Sequence, residues 1–191
     1  MIIGLNKRNP QVFDPYRLNL ETGEMTMVAE NPGNITGWMT DHDGKLRIAF
    51  VTDGVNQSIM HRATEEDDWA NVITTNFKQS VSPRFFTFDN QNIYATSNVG
   101  RDKEAAIILD LSNGEEIEVL YENETNDVSG LMYSRKDKKI IGASYYTDKA
   151  GRHYFDEASK ARYDRLTKEL EGYEVAITGY TKAEDKFMMP K

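Results

Sequence analysis

The serine of this chain best placed for covalent chemistry is Ser144, in Gly142-Ala143-Ser144-Tyr145-Tyr146. A hydrolase nucleophile held on a sharp strand-to-helix turn needs Gly-x-Ser-x-Gly, because side chains at the flanking positions collide in the strained elbow. Tyr146 stands where the second glycine should be. The residues around Ser144 read as a strand that continues, so Ser144 is assigned a structural role. No catalytic residue is expected in the chain.

Metal chemistry finds equally little support. His42, His61 and His153 fall in different segments, and no pair has the spacing at which two imidazoles share one ion. Asp41-His42-Asp43-Gly44 resembles the opening of a calcium loop. It lacks the third oxygen ligand before the glycine and the distal glutamate, and a tight turn alone accounts for Asp43-Gly44. With no cysteine, disulfides and thiolate sites are excluded. Neither a metal nor a cofactor is expected.

Two groups suit a peptide ligand. The run Glu65-Glu66-Asp67-Asp68 ends at Trp69, and carboxylates beside an indole can receive a cationic amine, which makes Asp67, Asp68 and Trp69 candidate substrate contacts. Arg84, following Pro83 at a strand start, is a candidate partner for a peptide carboxylate. The plainer reading of the acidic run is a solvated loop with its tryptophan tucked over a sheet. The chain carries 31 acidic against 23 basic residues, and neither sign forms a long block. That excludes the clustered Lys and Arg a nucleic-acid surface needs. No apolar run approaches the roughly 20 residues that cross a bilayer, so no membrane partner is expected. Asn34-Ile35-Thr36, Asn56-Gln57-Ser58 and Asn123-Glu124-Thr125 match a glycosylation acceptor, a motif short enough to arise by chance in Asn-rich loops.

The elements that position these residues repeat. Asp43, Asn90 and Asp137 recur every 47 residues, each in a turn followed by a short apolar strand: Leu46 to Phe50, Ile93 to Ser97, Ile140 to Ser144. Asp-Gly and Asn-rich pairs suit the positive φ of tight hairpin turns. Upstream of each turn lies an apolar segment, Ile35 to Met39, Pro83 to Phe86 and Ser129 to Tyr133, which supplies the first strand of the hairpin. Further hairpins are read at 16–28 and 106–120 around Thr22-Gly23 and Asn113-Gly114, and at 59–74 around the acidic loop. Phe85, Phe86, Phe88, Tyr94, Tyr133, Tyr145 and Tyr146 recur on the repeat strands, which assigns them to packing between sheets and not to a base-stacking platform.

Four strands in a period near 47 match a propeller blade; a β-sandwich, the alternative, could use strands spaced this way but has no reason to repeat at 47. The fold expected is all-β with one helical insertion: a partial β-propeller of about three four-stranded antiparallel blades, forming a single domain over 1–191. A closed ring needs four to eight blades. The chain is therefore expected to be part of a longer protein or of an assembly, with self-association through its open end blades. After Lys149 the period changes. Tyr154, Phe155, Ala158, Ala161, Leu166 and Leu170 lie on one helical face, with Asp156 as N-cap and Gly172 as stop, so an insertion is read near 154–172. Tyr173 to Gly179 then reads as a strand, followed by a turn and Lys186 to Met189. Residues 1–8 have none of the parts of a signal peptide and read as a strand entered at once, which leaves the compartment open.

The stretch from Asn6 to Gly23, with Asn9-Pro10-Gln11-Val12-Phe13-Asp14-Pro15-Tyr16, resembles the amino-terminal propeller of bacterial prolyl oligopeptidase-family serine peptidases of the dipeptidyl aminopeptidase and acylaminoacyl-peptidase type. Gly37 to Arg47 resembles the next blade junction, and Tyr154-Phe155-Asp156 with the helix to Gly172 resembles an insertion between later blades. The resemblance implies a noncatalytic segment that gates and orients short peptides for a carboxy-terminal α/β-hydrolase domain, its partner, which is absent from this chain. The parent would be a serine-type peptidase. The alternative is a free-standing propeller module that recognises a protein or glycan through its loops.

Overall fold

The computed structural model describes residues 1–189, so the last two residues of the expected domain lie outside the described ones. Alternating side chains between tight turns produce antiparallel meanders, each strand pairing with the next in sequence. The chain divides into two units, the first comprising Met1–Arg101 and Ile107–Leu120, the second Asp102–Ala106 and Tyr121 onward.

The first sheet contains β1 (Ile2–Leu5), β2 (Asp14–Leu18) and β3 (Met25–Met27). Asp14, fully buried, accepts two bonds from the Arg8 guanidinium, at 2.9 and 3.0 Å, and one from the Asn31 N–H at 2.7 Å. These bonds hold its carboxyl below the usual aspartate range. The second sheet has β4 (Ile35–Thr40), β5 (Leu46–Thr52), β6 (Gln57–His61) and β7 (Ala70–Thr75); the third has β8 (Val81–Phe86), β9 (Ile93–Ser97), β10 (Ala105–Leu109) and β11 (Glu116–Tyr121). On β9 the consecutive residues Ala95, Thr96 and Ser97 are all inaccessible, so this strand is covered on both faces. The last strands β3 and β11 leave Met25, Met27, Ile117 and Val119 exposed. Burial falling from middle strand to last strand is what blade-like sheets packed face to face produce.

The second unit holds β12 (Val128–Ser134), β13 (Lys139–Tyr146) and β14 (Ala150–Tyr154) in one sheet, then α1 (Glu157–Glu169), then a hairpin of β15 (Gly179–Tyr180) and β16 (Phe187–Met188). The helix follows the third strand, where the two preceding sheets have a fourth. Asp156 caps it, accepting from the Ser159 N–H at 2.9 Å, and Gly172 turns the chain at φ 89° after it ends. The architecture is thus all-β with one helix, in propeller-like antiparallel sheets, two of four strands and two of three, with the two-stranded β15–β16 hairpin after them in sequence.

One sequence expectation needs correction. Residues 173–178 form no strand, and pairing is confined to Gly179–Tyr180 against Phe187–Met188. The alternation that suggested a strand has another cause: Val175 is buried and its carbonyl accepts from the Tyr163 hydroxyl of the helix at 3.4 Å.

The structure also shows a fourth copy of the repeat. Asn90 N bonds Thr87 O at 2.8 Å and Thr87 N bonds Asn92 O at 2.8 Å, with Asn90 at φ 60°. Glu184 N bonds Thr181 O at 3.0 Å and Thr181 N bonds Lys186 O at 3.1 Å, with Glu184 at φ 54°. Thr40, Thr87, Ser134 and Thr181 stand 47 residues apart. The β15–β16 hairpin is therefore the leading hairpin of the next repeat.

Candidate functional site

The acidic loop between β6 and β7 is organised inward. Glu65 takes both terminal nitrogens of Arg17, at 2.9 Å each, and the Leu46 N–H at 2.8 Å, and these bonds lower its pKa against the opposing effect of burial. Asp67 closes its own loop, accepting from Thr64 N at 2.8 Å and Thr64 Oγ1 at 2.9 Å. Asp68 is exposed beside it. The Trp69 indole lies 5.8 Å from Trp38, and the guanidinium of Arg62 sits over it at 4.4 Å. The cation on this aromatic face is thus supplied by the chain itself. Asp67, Asp68 and Trp69 share this loop, while Arg84 stands on β8 of the next sheet, exposed and donating to Thr96 Oγ1 at 3.1 Å.

Ser144 lies within β13, opposite Arg152, and its Oγ meets Ser129 Oγ at 3.2 Å. The hydroxyl thus pairs with another hydroxyl, which cannot serve as a general base. The three histidines are dispersed: His42 Nε2 meets Phe86 O at 3.0 Å, His61 Nε2 meets Arg47 at 3.1 Å, and His153 stacks on Tyr121 at 4.3 Å. Among the described residues no three His, Cys, Asp or Glu side chains gather as a metal site.

A cleft of about 610 Å³ lies in the second unit, bounded by β12, β14, α1 and the 177–184 segment. Five cationic residues line it, Arg135, Lys136, Arg152, Arg162 and Lys182, against one carboxylate, Glu184. That carboxylate is already engaged: Oε1 accepts from Arg135 N at 2.8 Å and Lys136 N at 3.1 Å, and Oε2 accepts from Ser134 Oγ at 2.7 Å. Arg152 is fixed by its bond to the Tyr163 hydroxyl at 2.8 Å and by stacking over that ring at 4.8 Å. Among the described residues the Arg162 guanidinium has no hydrogen bond or ion pair. Burial pushes the Tyr154 phenol up to about 12 and raises Tyr180 as well, so both keep their protons as donors at neutral pH.

Sequence reasoning missed this cleft because its cations are scattered from position 135 to 182 and converge only through folding. The one available signal was regional: basic residues outnumber acidic ones from Leu131 onward in a chain of net charge -8.

No family model matches the chain. It is similar to dipeptidyl aminopeptidase BIII of Pseudoxanthomonas mexicana, 26% identical over 146 residues that cover 75% of this chain and 21% of that protein. It is also similar to dipeptidyl peptidase family member 6 of Caenorhabditis elegans, 21% identical over 154 residues covering the same shares. The chain is a distant relative of dipeptidyl peptidases. It spans about a fifth of the length of these curated relatives.

Proposed function

We propose that this chain is a noncatalytic propeller segment of a serine peptidase of the prolyl oligopeptidase type, gating and orienting short peptides for a hydrolase domain carried on other residues. The observation that carries this reading is the likeness to two dipeptidyl peptidases, which covers most of this chain but about a fifth of theirs. Supporting it, Ser144 is paired with Ser129 inside a strand and has no elbow around it. The mechanism is steric: rigid sheets restrict entry to flexible short chains, and polar side chains at their ends align the peptide.

The test is the reading frame around these residues. A downstream Gly-x-Ser-x-Gly followed by Asp and His supports the proposal, and their absence overturns it. The purified chain alone should leave aminoacyl and dipeptidyl chromogenic substrates intact. Turnover abolished by Ser144→Ala would instead make this segment an enzyme in its own right.

A further inference from the structure

We propose that the cleft in the second unit is a carboxylate-binding subsite for short acidic peptides. This rests on the peptide-handling reading above and names the chemistry the cleft would select.

In a chain with 31 acidic and 23 basic residues, five cations line one concavity with a single carboxylate. Glu184 offsets one of those charges, and its own hydrogen bonds go to three neutral donors from residues 134–136, so the cleft keeps an excess of four positive charges. Arg162 is half-buried in the helix wall without a hydrogen-bond partner. A guanidinium removed from much of its water and left unpaired favours an anion that can bond its planar fork. Lys182, across the cleft on the turn before β16, adds a second positive group without a bond of its own.

The walls favour a peptide over a simple inorganic ion. The cleft's volume of about 610 Å³ lies in the range of sites that enclose a drug-sized ligand, larger than a simple inorganic ion needs. Tyr133, Tyr154 and Tyr180 offer apolar ring surface with a hydroxyl at the tip, which suits a ligand part apolar and part polar. Residues 177–182 line the cleft, and among the described residues β15 has a ladder partner on one side only. An extended peptide can run along such an edge, taking its main-chain bonds there and its charge to Arg162.

Fluorescence anisotropy of the 191-residue chain tests this with three fluorescein-labelled pentapeptides: one with Glu and a free carboxy terminus, one with Glu and an amidated terminus, and one neutral and amidated. Binding of either acidic peptide at least about tenfold tighter than the neutral one is expected, in line with the tenfold steps that charge-assisted bonds produce, and the two acidic peptides show which carboxylate is read. Inorganic phosphate should compete. Arg162→Gln and Lys182→Gln should each weaken acidic-peptide binding by about fivefold to tenfold, with circular dichroism unchanged. Arg165→Gln, which makes the same charge change on α1 at a residue paired with Glu169 outside the cleft, should stay within about twofold.

Equal binding of neutral and acidic peptides, or equal damage from Arg165→Gln, overturns the carboxylate subsite. Acidic-peptide binding untouched by Arg162→Gln and Lys182→Gln removes the cleft from the account while leaving a peptide-handling segment intact. Phosphate binding that is lost in Arg162→Gln, without binding of any peptide, overturns both the subsite and the peptide-handling reading on which it rests.

Discussion

The backbone N–H of His42 donates to the side-chain oxygen of Asn90 at 3.0 Å, joining two hairpin turns 48 residues apart in the chain. Asn90 returns a bond from its Nδ2 to Asp43 Oδ2 at 3.0 Å. In the second unit the N–H of Lys136 donates to Glu184 Oε1 at 3.1 Å across the same sequence interval. The two units therefore use one device within themselves: the turn residue at positive φ in one hairpin clasps the backbone of the hairpin one repeat earlier.

Asn90 serves two purposes, and substitution separates them. Asn90→Gly keeps the φ of 60° accessible and removes only the clasp, so it should cost about 1 kcal/mol, the net worth of one or two exposed hydrogen bonds. Asn90→Ala adds the strain of a left-handed residue and should cost about 1 kcal/mol more. Urea melts of the two variants would show the order, and an alanine variant as stable as the glycine one would refute the double role.

Glu184 gives the second clasp a pH dependence. Burial alone raises its pKa, but the Ser134 hydroxyl and the N–H groups of Lys136 and Arg135 outweigh it and leave the carboxyl below its ordinary 4.5. A depressed folded pKa stabilises above the unfolded value and is lost as pH falls through the folded one. Amide exchange at Arg135 and Lys136 should therefore accelerate as pH drops below about 4.5, after correction for the intrinsic rate. Glu184→Gln should flatten that profile. An unchanged profile would mean the carboxylate does not hold the turn.

Gly114 closes the hairpin between β10 and β11 at φ 75°, where a Cβ would stand 2.3 Å from the Val72 carbonyl oxygen and 3.3 Å from Ile73 Cβ. Both the dihedral and the approach to β7 demand glycine. Gly114→Ala should destabilise by about 2 kcal/mol or more. Gly23 occupies the same place in the β2–β3 turn, with φ 73° and no atom within 4 Å of a Cβ, so Gly23→Ala should cost only the dihedral term, about 1 kcal/mol. Thermal melts of the pair isolate the contact with β7.

The repeat was legible because it is written in local chemistry. Turn residues 47 apart mark β4–β5, β8–β9 and β12–β13, and Asp156 with Gly172 brackets α1. The fourth copy at Thr181 to Lys186 is hidden in the sequence because Glu184 stands at the turn where the other copies carry Asp or Asn. The unpaired stretch before β15 misled because burial against a helix and pairing in a sheet can both alternate apolar residues, as Val175 and Ile177 do. The side-chain partners could not be read at all. Nothing in the sequence joins Arg62 to Trp69 or leaves Arg162 unpaired, since these depend on which sheet face and which helix turn meet.

Asp156 links α1 to β13. Its carboxylate caps the helix through Ser159 N and pairs with Lys139 Nζ at 2.7 Å, and the Lys139 bond, then the Ser159 bonds, hold its pKa far below the aspartate range. Asp156→Ala should cost about 1 to 2 kcal/mol through loss of the cap. Asp156→Asn keeps a capping oxygen and loses only a half-exposed ion pair, so it should cost under about 1 kcal/mol. The two variants should also differ in helical ellipticity, and equal losses would assign the residue's effect to the ion pair.

His61 contributes to the pH response of the first unit. Its Nε2 lies 3.1 Å from Arg47 Nη2, and because a guanidinium only donates, the imidazole accepts there and is neutral. Burial, then the nearby Arg47 charge, lowers its pKa from 6.5 to about 4. The unfolded chain binds a proton as pH falls through 6.5, while the folded chain does not until about 4. Stability is therefore undiminished above 6.5 and declines across the window from 6.5 to about 4, the sign expected of a histidine held neutral. His61→Gln retains an acceptor for Arg47 and cannot titrate, so its stability should decline less across that window than that of the parent chain. Urea midpoints measured from pH 7.5 to 4.5 would show it, and parallel profiles for the two proteins would remove His61 as the source.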